Sequence, residues 1–172
     1  KEDIQTLLDQ GKFAVIPVDM CGAIAMKRSF PTHIIYVARD KEKLIARLKE
    51  LPLDDAQYWL ITGGAMVLYG LREQTSDIDL GCTSELADYL QEKGFPIKQL
   101  PDGTRKIVVA EDVEIFENWL EDRVERFEGV PVISIQGLIG MKRALGREKD
   151  FRDIQLILEK YPEYEKCEAN RG

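Results

Sequence analysis

The stretch from Trp59 to Leu80 limits the possible folds of this chain more than any other part of the sequence. It begins with a short apolar run, breaks at Gly63 and Gly64, continues as an apolar segment too long for a turn, and ends with Asp77 and Asp79. This order predicts a strand, a glycine-rich turn, a helix and a second strand. We therefore expect the core of the protein to be built around this unit.

The two acidic residues at its end suggest a metal site. Residues two apart in a strand project to the same face, so Asp77 and Asp79 should lie together while Ile78 faces the other way. Adjacent carboxylates repel each other unless a cation joins them. Mg²⁺ prefers hard oxygen ligands and is usually held by one or two carboxylates plus substrate phosphates. The alternative is a pair of edge-strand acids that face solvent.

The two glycines predict a second feature of the same site. Glycine lets the backbone come close to a ligand, and the amides that open the following helix offer a place for an anion. Gly63 and Gly64 are therefore candidates for binding a phosphate through the backbone. A simple turn, with no ligand, is the alternative.

From about Tyr58 to about Lys160 the chain resembles the nucleotidyltransferase superfamily of DNA polymerase beta. The resemblance is strongest to its small stand-alone members, which include antitoxin-type and aminoglycoside-modifying enzymes. Besides the glycines, the family's run R-x-x-T-x-D-I-D occurs here as Arg72, Thr75, Asp77 and Asp79. Residues 138–154 look like the helix pair that closes many such domains, and they contain Lys142, Arg147, Lys149, Asp150 and Asp153.

This resemblance implies a reaction and a set of metal ligands. Asp77 and Asp79 would hold Mg²⁺, or Mn²⁺ in its place, and a third acid would come from a neighbouring strand. By pattern that acid is Glu114, where the family more often has Asp; it would bind metal or act as a base. The implied chemistry is metal-assisted in-line attack on the α-phosphate of a nucleoside triphosphate, with pyrophosphate leaving.

The residues expected to bind the nucleotide are Gly63, Gly64, Arg72, Thr75 and Lys142. For Arg72, contact with a phosphate and an ion pair with a nearby acid remain equal alternatives. Lys142 follows an apolar helical run and would belong to a basic rim over the triphosphate. For Arg147, a solvated helix face with i,i+4 pairing is the favoured alternative.

The first 51 residues form the first of two expected domains, and residues 52–172 form the second. Residues 1–10 predict a short amphipathic helix. The apolar runs Phe13–Val18 and Ile34–Ala38 predict buried strands, and each is followed by a predicted helix, over 21–29 and 40–51. Continuous apolar strands that alternate with helices are typical of parallel α/β structure.

Residues 1–50 resemble the later part of guanylate kinases, which have a strand ending in Asp, then Gly-Ala, a helix and another strand. Asp19 would stand where that family places an acid near the nucleotide. The phosphate-binding loop G-x-x-x-x-G-K-[S/T] is absent from the sequence. Because nothing else would cradle the phosphates of ATP, we expect scaffolding rather than kinase activity from this segment.

The remaining patterns complete an expected α/β fold with α+β character, in which a nucleotidyltransferase-type mixed sheet follows a kinase-like βαβα lead segment. Pro101–Thr104 predicts a hairpin turn between two strands, and residues 113–116 predict another strand. The acidic stretch 117–127 reads as helical or irregular, and residues 130–133 as extended. Ser134 is expected to cap a helix that Gly146 ends.

Composition restricts the partners. The net charge of −7 argues against broad nucleic-acid binding, which needs a basic face. A nucleoside triphosphate and a small-molecule or protein acceptor therefore fit better than RNA, and a protein partner or oligomer is compatible with the sequence. No apolar run approaches the roughly 20 residues of a membrane helix, and no signal peptide is recognisable. A cytoplasmic location is the expectation.

The alternative function is a non-catalytic, antitoxin-like nucleotide- or partner-binding module that retains the fold.

Overall fold

The structure, a computed structural model, describes residues 2–13, 15–16, 18, 20–33 and 39–165. The chain divides into two compact units, residues 1–37 and 38–172, whereas the sequence predicts a boundary near residue 51. The helix that follows Asp40 belongs to the second unit, because Leu44 and Leu48 are buried in the core of that unit.

The first unit contains two of the predicted helices, α1 (Glu2–Asp9) and α2 (Met20–Ser29). The predicted buried strand at 13–18 is wrong for the residues described there. Phe13, Val15, Ile16 and Val18 belong to no strand, and all four side chains are exposed. Asp19 and the second predicted strand, Ile34–Ala38, lie outside the described residues.

The second unit contains a mixed α/β arrangement, as predicted. Its elements in chain order are α3 (Lys41–Glu50), β1 (Tyr58–Leu60), α4 (Thr62–Leu68), β2 (Ile78–Cys82), α5 (Ser84–Glu92), β3 (Ile97–Gln99), β4 (Arg105–Ala110), β5 (Val113–Glu117), β6 (Val124–Phe127), β7 (Val130–Ile133), α6 (Ile135–Leu145) and α7 (Glu148–Lys160). A short 3₁₀ turn, Pro162–Tyr164, follows α7. The strand–helix–strand unit predicted around Gly63 and Gly64 is confirmed as β1, α4 and β2, but the two glycines lie in the first turn of α4 rather than in a separate turn before it.

The strands form one mixed sheet with the order β3-β4-β5-β2-β1-β7-β6. β2 and β5 run parallel, as do β1 and β7, and the other neighbouring pairs are antiparallel. One face of the sheet is aliphatic, and its central side chains are fully buried: Leu60, Ile78, Leu80, Ile107, Val113 and Ile115. Alternation along the strands places Asp79, Glu114 and Lys106 on the other face.

Local signals account for where several helices begin and end. The side chains of Asp40, Thr83 and Ser134 each accept a hydrogen bond from a backbone amide in the first turn of α3, α5 and α6. Such N-caps satisfy amides that have no partner within the helix. Gly146 ends α6 with a φ of +62°, a conformation that glycine adopts without strain.

The predicted hairpin is confirmed, whereas the prediction for residues 117–127 is wrong in part. β3 and β4 pair across the turn, where Gly103 has a φ of +88°. Val124–Phe127 is a strand that pairs with β7. Its two central residues, Glu125 and Arg126, are both charged. The sequence therefore has no apolar run here that would predict a strand. Pairing with β7 overrides that weak local preference.

Gly81 fixes the packing between β1 and β2. It lies opposite Trp59 in the antiparallel register, and a Cβ at this position would stand 2.0 Å from the indole Nε1. The indole N–H donates to the carbonyl of Trp119, at 2.8 Å, and Trp119 stacks on Phe116 with ring centroids 4.6 Å apart. The absence of a side chain at Gly81 is therefore required for an aromatic layer at this end of the sheet.

Candidate functional site

Asp79 and Glu114 lie side by side in the middle of the sheet. They are direct partners in the register of the parallel strands β2 and β5, so their side chains point to the same face. Asp77 immediately precedes β2. The negative charges of Asp77 and Glu114 both act on Asp79, so each of these two acids lies near Asp79.

The environment of Asp79 disfavours its charged form. Burial raises the pKa of the Asp79 carboxyl above its usual range, and the charges of Glu114 and Asp77 raise it further. The Thr62 hydroxyl and the Lys106 ammonium act in the opposite direction. A cation at this position would relieve the repulsion and favour the carboxylate.

Thr62 holds Asp79 from an unusual backbone conformation. Its hydroxyl donates to Asp79 Oδ2 at 2.5 Å, and the Ile61 amide donates to the Asp79 carbonyl at 3.0 Å. Thr62 has a φ of +47°, which is an outlier for a β-branched residue. Such a conformation costs about 1–3 kcal/mol and persists only where the surrounding structure enforces it.

Glu114 is paired with a cation from the adjacent strand. Lys106 Nζ lies 2.7 Å from Glu114 Oε2, and both side chains are partly exposed. Among the residues that the structure describes, no group of three His, Cys, Asp or Glu side chains is arranged to hold a metal ion. Asp77 and Asp79 supply the oxygen donors that suit Mg²⁺, and Glu114 would join them only by leaving Lys106.

The two glycines have different roles. A Cβ on Gly64 would stand 2.6 Å from Leu60 Cδ1, so this glycine allows α4 to pack against β1. A Cβ on Gly63 would stand 3.1 Å from the Thr75 hydroxyl and 4.0 Å from Arg72 Nη1. Gly63 therefore leaves space beside the two polar side chains that precede Asp77, whereas Gly64 is explained by packing.

A buried ion cluster lies next to these residues. Lys142 is almost inaccessible, at 3 % exposure, and its Nζ lies 2.5 Å from Asp153 Oδ2 and 3.8 Å from Asp150 Oδ1. Arg72 Nη2 contacts the other oxygen of Asp153 at 2.5 Å. Both acids are buried, so the ammonium of Lys142 is enclosed between them rather than directed to solvent.

Arg147 completes the cluster from the start of α7. Its Nε lies 2.6 Å from Asp150 Oδ2, while about half of its side chain remains exposed. Its hydrogen bond to Asp150 raises the pKa of the Arg147 guanidinium, and the charge of Asp79 contributes to that shift. Arg147 is therefore electrostatically coupled to Asp79, although its sequence context favours an ordinary surface residue.

The loop that carries Thr75 is anchored to a residue outside the predicted motif. Arg39 and Thr75 exchange two backbone hydrogen bonds, of 2.7 and 2.8 Å. The guanidinium of Arg39 also donates to the Ser76 carbonyl and to Asp112. Asp112 also accepts hydrogen bonds from Arg47 of α3. Arg39 and α3 therefore hold the loop that leads into Asp77.

Three residues of this region are absent from the predicted site: Thr62, Lys106 and Arg39. Thr62 directly precedes the glycine pair, so its position was a usable signal. Lys106 and Arg39 come close to the site only through strand pairing and the backbone bridge. Such long-range partners have no local sequence pattern.

No protein-family model matches the chain, and no curated protein matches it significantly. Among the described helices, none is both long and apolar enough to span a membrane.

Proposed function

We propose that this protein is a metal-dependent nucleotidyltransferase that moves a nucleoside monophosphate from a nucleoside triphosphate to a hydroxyl group. The observation that carries the proposal is the pairing of Asp79 with Glu114 in the register of β2 and β5. Asp77 directly precedes β2. The charges of Asp77 and Glu114 disfavour ionisation of the Asp79 carboxyl, a cost that a bound cation would offset.

In this proposal Asp77 and Asp79 hold the divalent cation. Two carboxylates leave positions open for phosphate oxygens, which is the usual arrangement for Mg²⁺. Bound Mg²⁺ would supply charge stabilisation at the reacting phosphoryl group. Glu114 would accept the proton of the acceptor hydroxyl once its ion pair with Lys106 opens.

Arg72 and Arg147 are proposed to bind the phosphates. Each guanidinium is held by a buried acid, Asp153 for Arg72 and Asp150 for Arg147, and each side chain retains substantial exposure. An arginine has five N–H donors, so one carboxylate does not use them all. Thr75 and Gly63 border the same space. Lys142 is enclosed by Asp150 and Asp153, and we assign it to supporting the arginines rather than to contacting the nucleotide.

The acceptor is proposed to be a small molecule or a protein side chain. The net charge of −7 would repel a nucleic-acid acceptor at low ionic strength.

The pairing of Glu114 with Lys106 favours one competing function, a nucleotide-binding module without catalysis. In that case nucleotide would bind, and no monophosphate would be transferred.

The proposal is tested by calorimetry with ATP and GTP, in Mg²⁺ and in EDTA. The wild type should bind one of the nucleotides only with Mg²⁺, and the double variant Asp77→Asn/Asp79→Asn should lose at least about tenfold in affinity, the loss expected when charged contacts to a ligand are removed. Asp55→Asn is the matched control, because Asp55 is exposed and pairs with Arg126 on the protein surface.

Pyrophosphate release in the presence of candidate acceptors then separates the two functions. Release that requires both Asp77 and Asp79 supports transfer. Metal-dependent binding without release for any acceptor class supports the binding module. If the wild type binds neither nucleotide in Mg²⁺, the nucleotidyltransferase proposal is overturned.

A further inference from the structure

Thr62 occupies a strained conformation at a position where glycine would be unstrained. Its φ is +47°, in the region that glycine adopts freely and β-branched residues avoid. The next two residues, Gly63 and Gly64, do not have a positive φ. The strained conformation therefore falls on the threonine although two glycines follow it, which indicates that the threonine side chain has a use here.

The contact that this conformation produces is the hydroxyl bond to Asp79. The Thr62 hydroxyl donates to Asp79 Oδ2, with 2.5 Å between the two oxygens. The neighbouring acids have other partners, since Glu114 is paired with Lys106 and Asp77 accepts from the Ser76 hydroxyl. Of these three acids, Asp79 is the one whose carboxylate accepts a hydrogen bond from Thr62.

The backbone reinforces this contact. The Ile61 amide donates to the carbonyl of Asp79, and the antiparallel register joins Leu60 to Leu80. Residues 61 and 62 thus hold both the main chain and the side chain of Asp79. Asp79 Oδ2 accepts the hydrogen bond from the hydroxyl. The orientation of Asp79 Oδ1 is restricted as a result.

We propose that Thr62 is a positioning residue, which orients the Asp79 carboxylate toward a bound divalent cation. This inference rests on the proposed function, because it assigns the cation to Asp79. It adds a residue that contacts neither cation nor nucleotide and acts only through Asp79. A hydroxyl at residue 62 is then necessary, whereas the γ-methyl of threonine is not.

The test compares Thr62→Ser, which keeps the hydroxyl, with Thr62→Val, which keeps the shape and the β-branch but removes it. Binding of ATP or GTP with Mg²⁺ is measured by calorimetry, and Mn²⁺ binding without nucleotide is measured by electron paramagnetic resonance. Thr62→Val should weaken both by about tenfold, the effect of one hydrogen bond to a charged group. Thr62→Ser should stay within about threefold of wild type, a difference below the value of that hydrogen bond. Thr104→Val, in the β3–β4 turn, is the matched control and should have no effect.

Unfolding midpoints and circular dichroism establish whether the variants fold. If Thr62→Val does not fold, the comparison of Thr62→Ser with wild type still tests the positioning role. Weak binding by Thr62→Ser, with a normal midpoint, would overturn the positioning role. Equal binding by wild type and Thr62→Val would overturn this inference alone and leave the proposed function standing. No metal-dependent binding by the wild type would overturn both.

Discussion

Asp79 and Glu114 are opposite one another on two parallel strands, with Asp77 next to them at the start of one strand. The sheet therefore concentrates negative charge at one place, and burial makes that charge costly for Asp79 in particular. Sites that bind ligands often retain such unfavourable features, and removing them stabilises the protein at the expense of function.

Asp79→Asn should stabilise the metal-free protein at pH 7, by on the order of 1 kcal/mol, the usual size of such gains. The pKa of Asp79 is raised in the folded state, so its favourable contribution is complete below the unfolded pKa and is lost as the pH rises through the folded value. The advantage of the Asp79→Asn variant over wild type should therefore shrink as the pH falls from about 7 toward about 4. Urea unfolding in EDTA at several pH values measures it.

Asp55→Asn is the control for this prediction, because Asp55 is exposed and pairs with Arg126 on the surface, so its substitution should change stability by less than about 0.5 kcal/mol. An advantage of Asp79→Asn that is the same at acidic and at neutral pH would contradict the electrostatic explanation.

Lys142→Met should destabilise the protein by roughly 3 kcal/mol, because removing one member of a buried ion cluster leaves charge without compensation. Lys142 lies between the buried carboxylates of Asp150 and Asp153. Denaturant unfolding at neutral pH measures the change. Lys149→Met, on the exposed side of the same region, should change stability by less than about 0.5 kcal/mol. Similar effects of the two substitutions would contradict the assignment of Lys142 to the core.

Glu117→Gln should destabilise the protein at neutral pH by about 2 kcal/mol, the typical value of a hydrogen-bonded charged group. Two bonds from Arg105, each of 2.7 Å, hold the pKa of Glu117 at about 2. The contribution of Glu117 is complete above the ordinary carboxyl pKa and is lost as the pH falls through that ordinary value toward the folded one. Thermal unfolding between about pH 7 and about pH 3 should therefore show wild type and variant converging.

Glu111→Gln provides the comparison for this pair, since Glu111 is exposed in the turn between β4 and β5. It should show no convergence, because it should differ little from wild type at either pH. A Glu117→Gln variant as stable as wild type at neutral pH would mean that the Arg105 contact adds nothing to stability.

Gly81→Ala should be strongly destabilising, by at least about 3 kcal/mol, because a methyl group would overlap the Trp59 indole in a packed core. The nearest approach would be 2.0 Å. Tryptophan fluorescence and unfolding free energy should both change. Gly140→Ala in α6 is the contrasting substitution, since the nearest atom to its Cβ would be at 3.6 Å, and it should stabilise the helix by up to about 1 kcal/mol.

Much of the second unit could be predicted from sequence. The strand–helix–strand unit around Gly63, the hairpin at Pro101–Thr104 and the caps at Asp40 and Ser134 are confirmed. Each depends on a local signal, either a turn residue, a cap or a short apolar run. The predictions failed where the local pattern was ambiguous. Phe13–Val18 is apolar enough for a buried strand, yet its described residues are exposed and outside any strand.

The candidate site was predictable in its composition and less so in its contacts. Asp77, Asp79 and Glu114 were selected by their pattern, and the catalytic use of these residues remains a prediction. Lys142, which the sequence predicts in a basic rim over the triphosphate, lies in a buried ion cluster with Asp153, and the charge of Asp79 acts on Arg147. Helical spacing alone does not distinguish a buried lysine from an exposed one when the partner acids lie on the next helix.

The sequence by itself determined the order of most elements of the second unit and the residue types at the site, because turns, caps and periodicity act over a few neighbouring positions. Only the tertiary structure decided that Asp79 pairs with Glu114, that Lys106 contacts Glu114, and that Arg39 anchors the loop at Thr75. These contacts depend on strand order, register and the bridge to the loop rather than on any local pattern. Register is fixed by burial of one whole face of the sheet, a property of all the strands together.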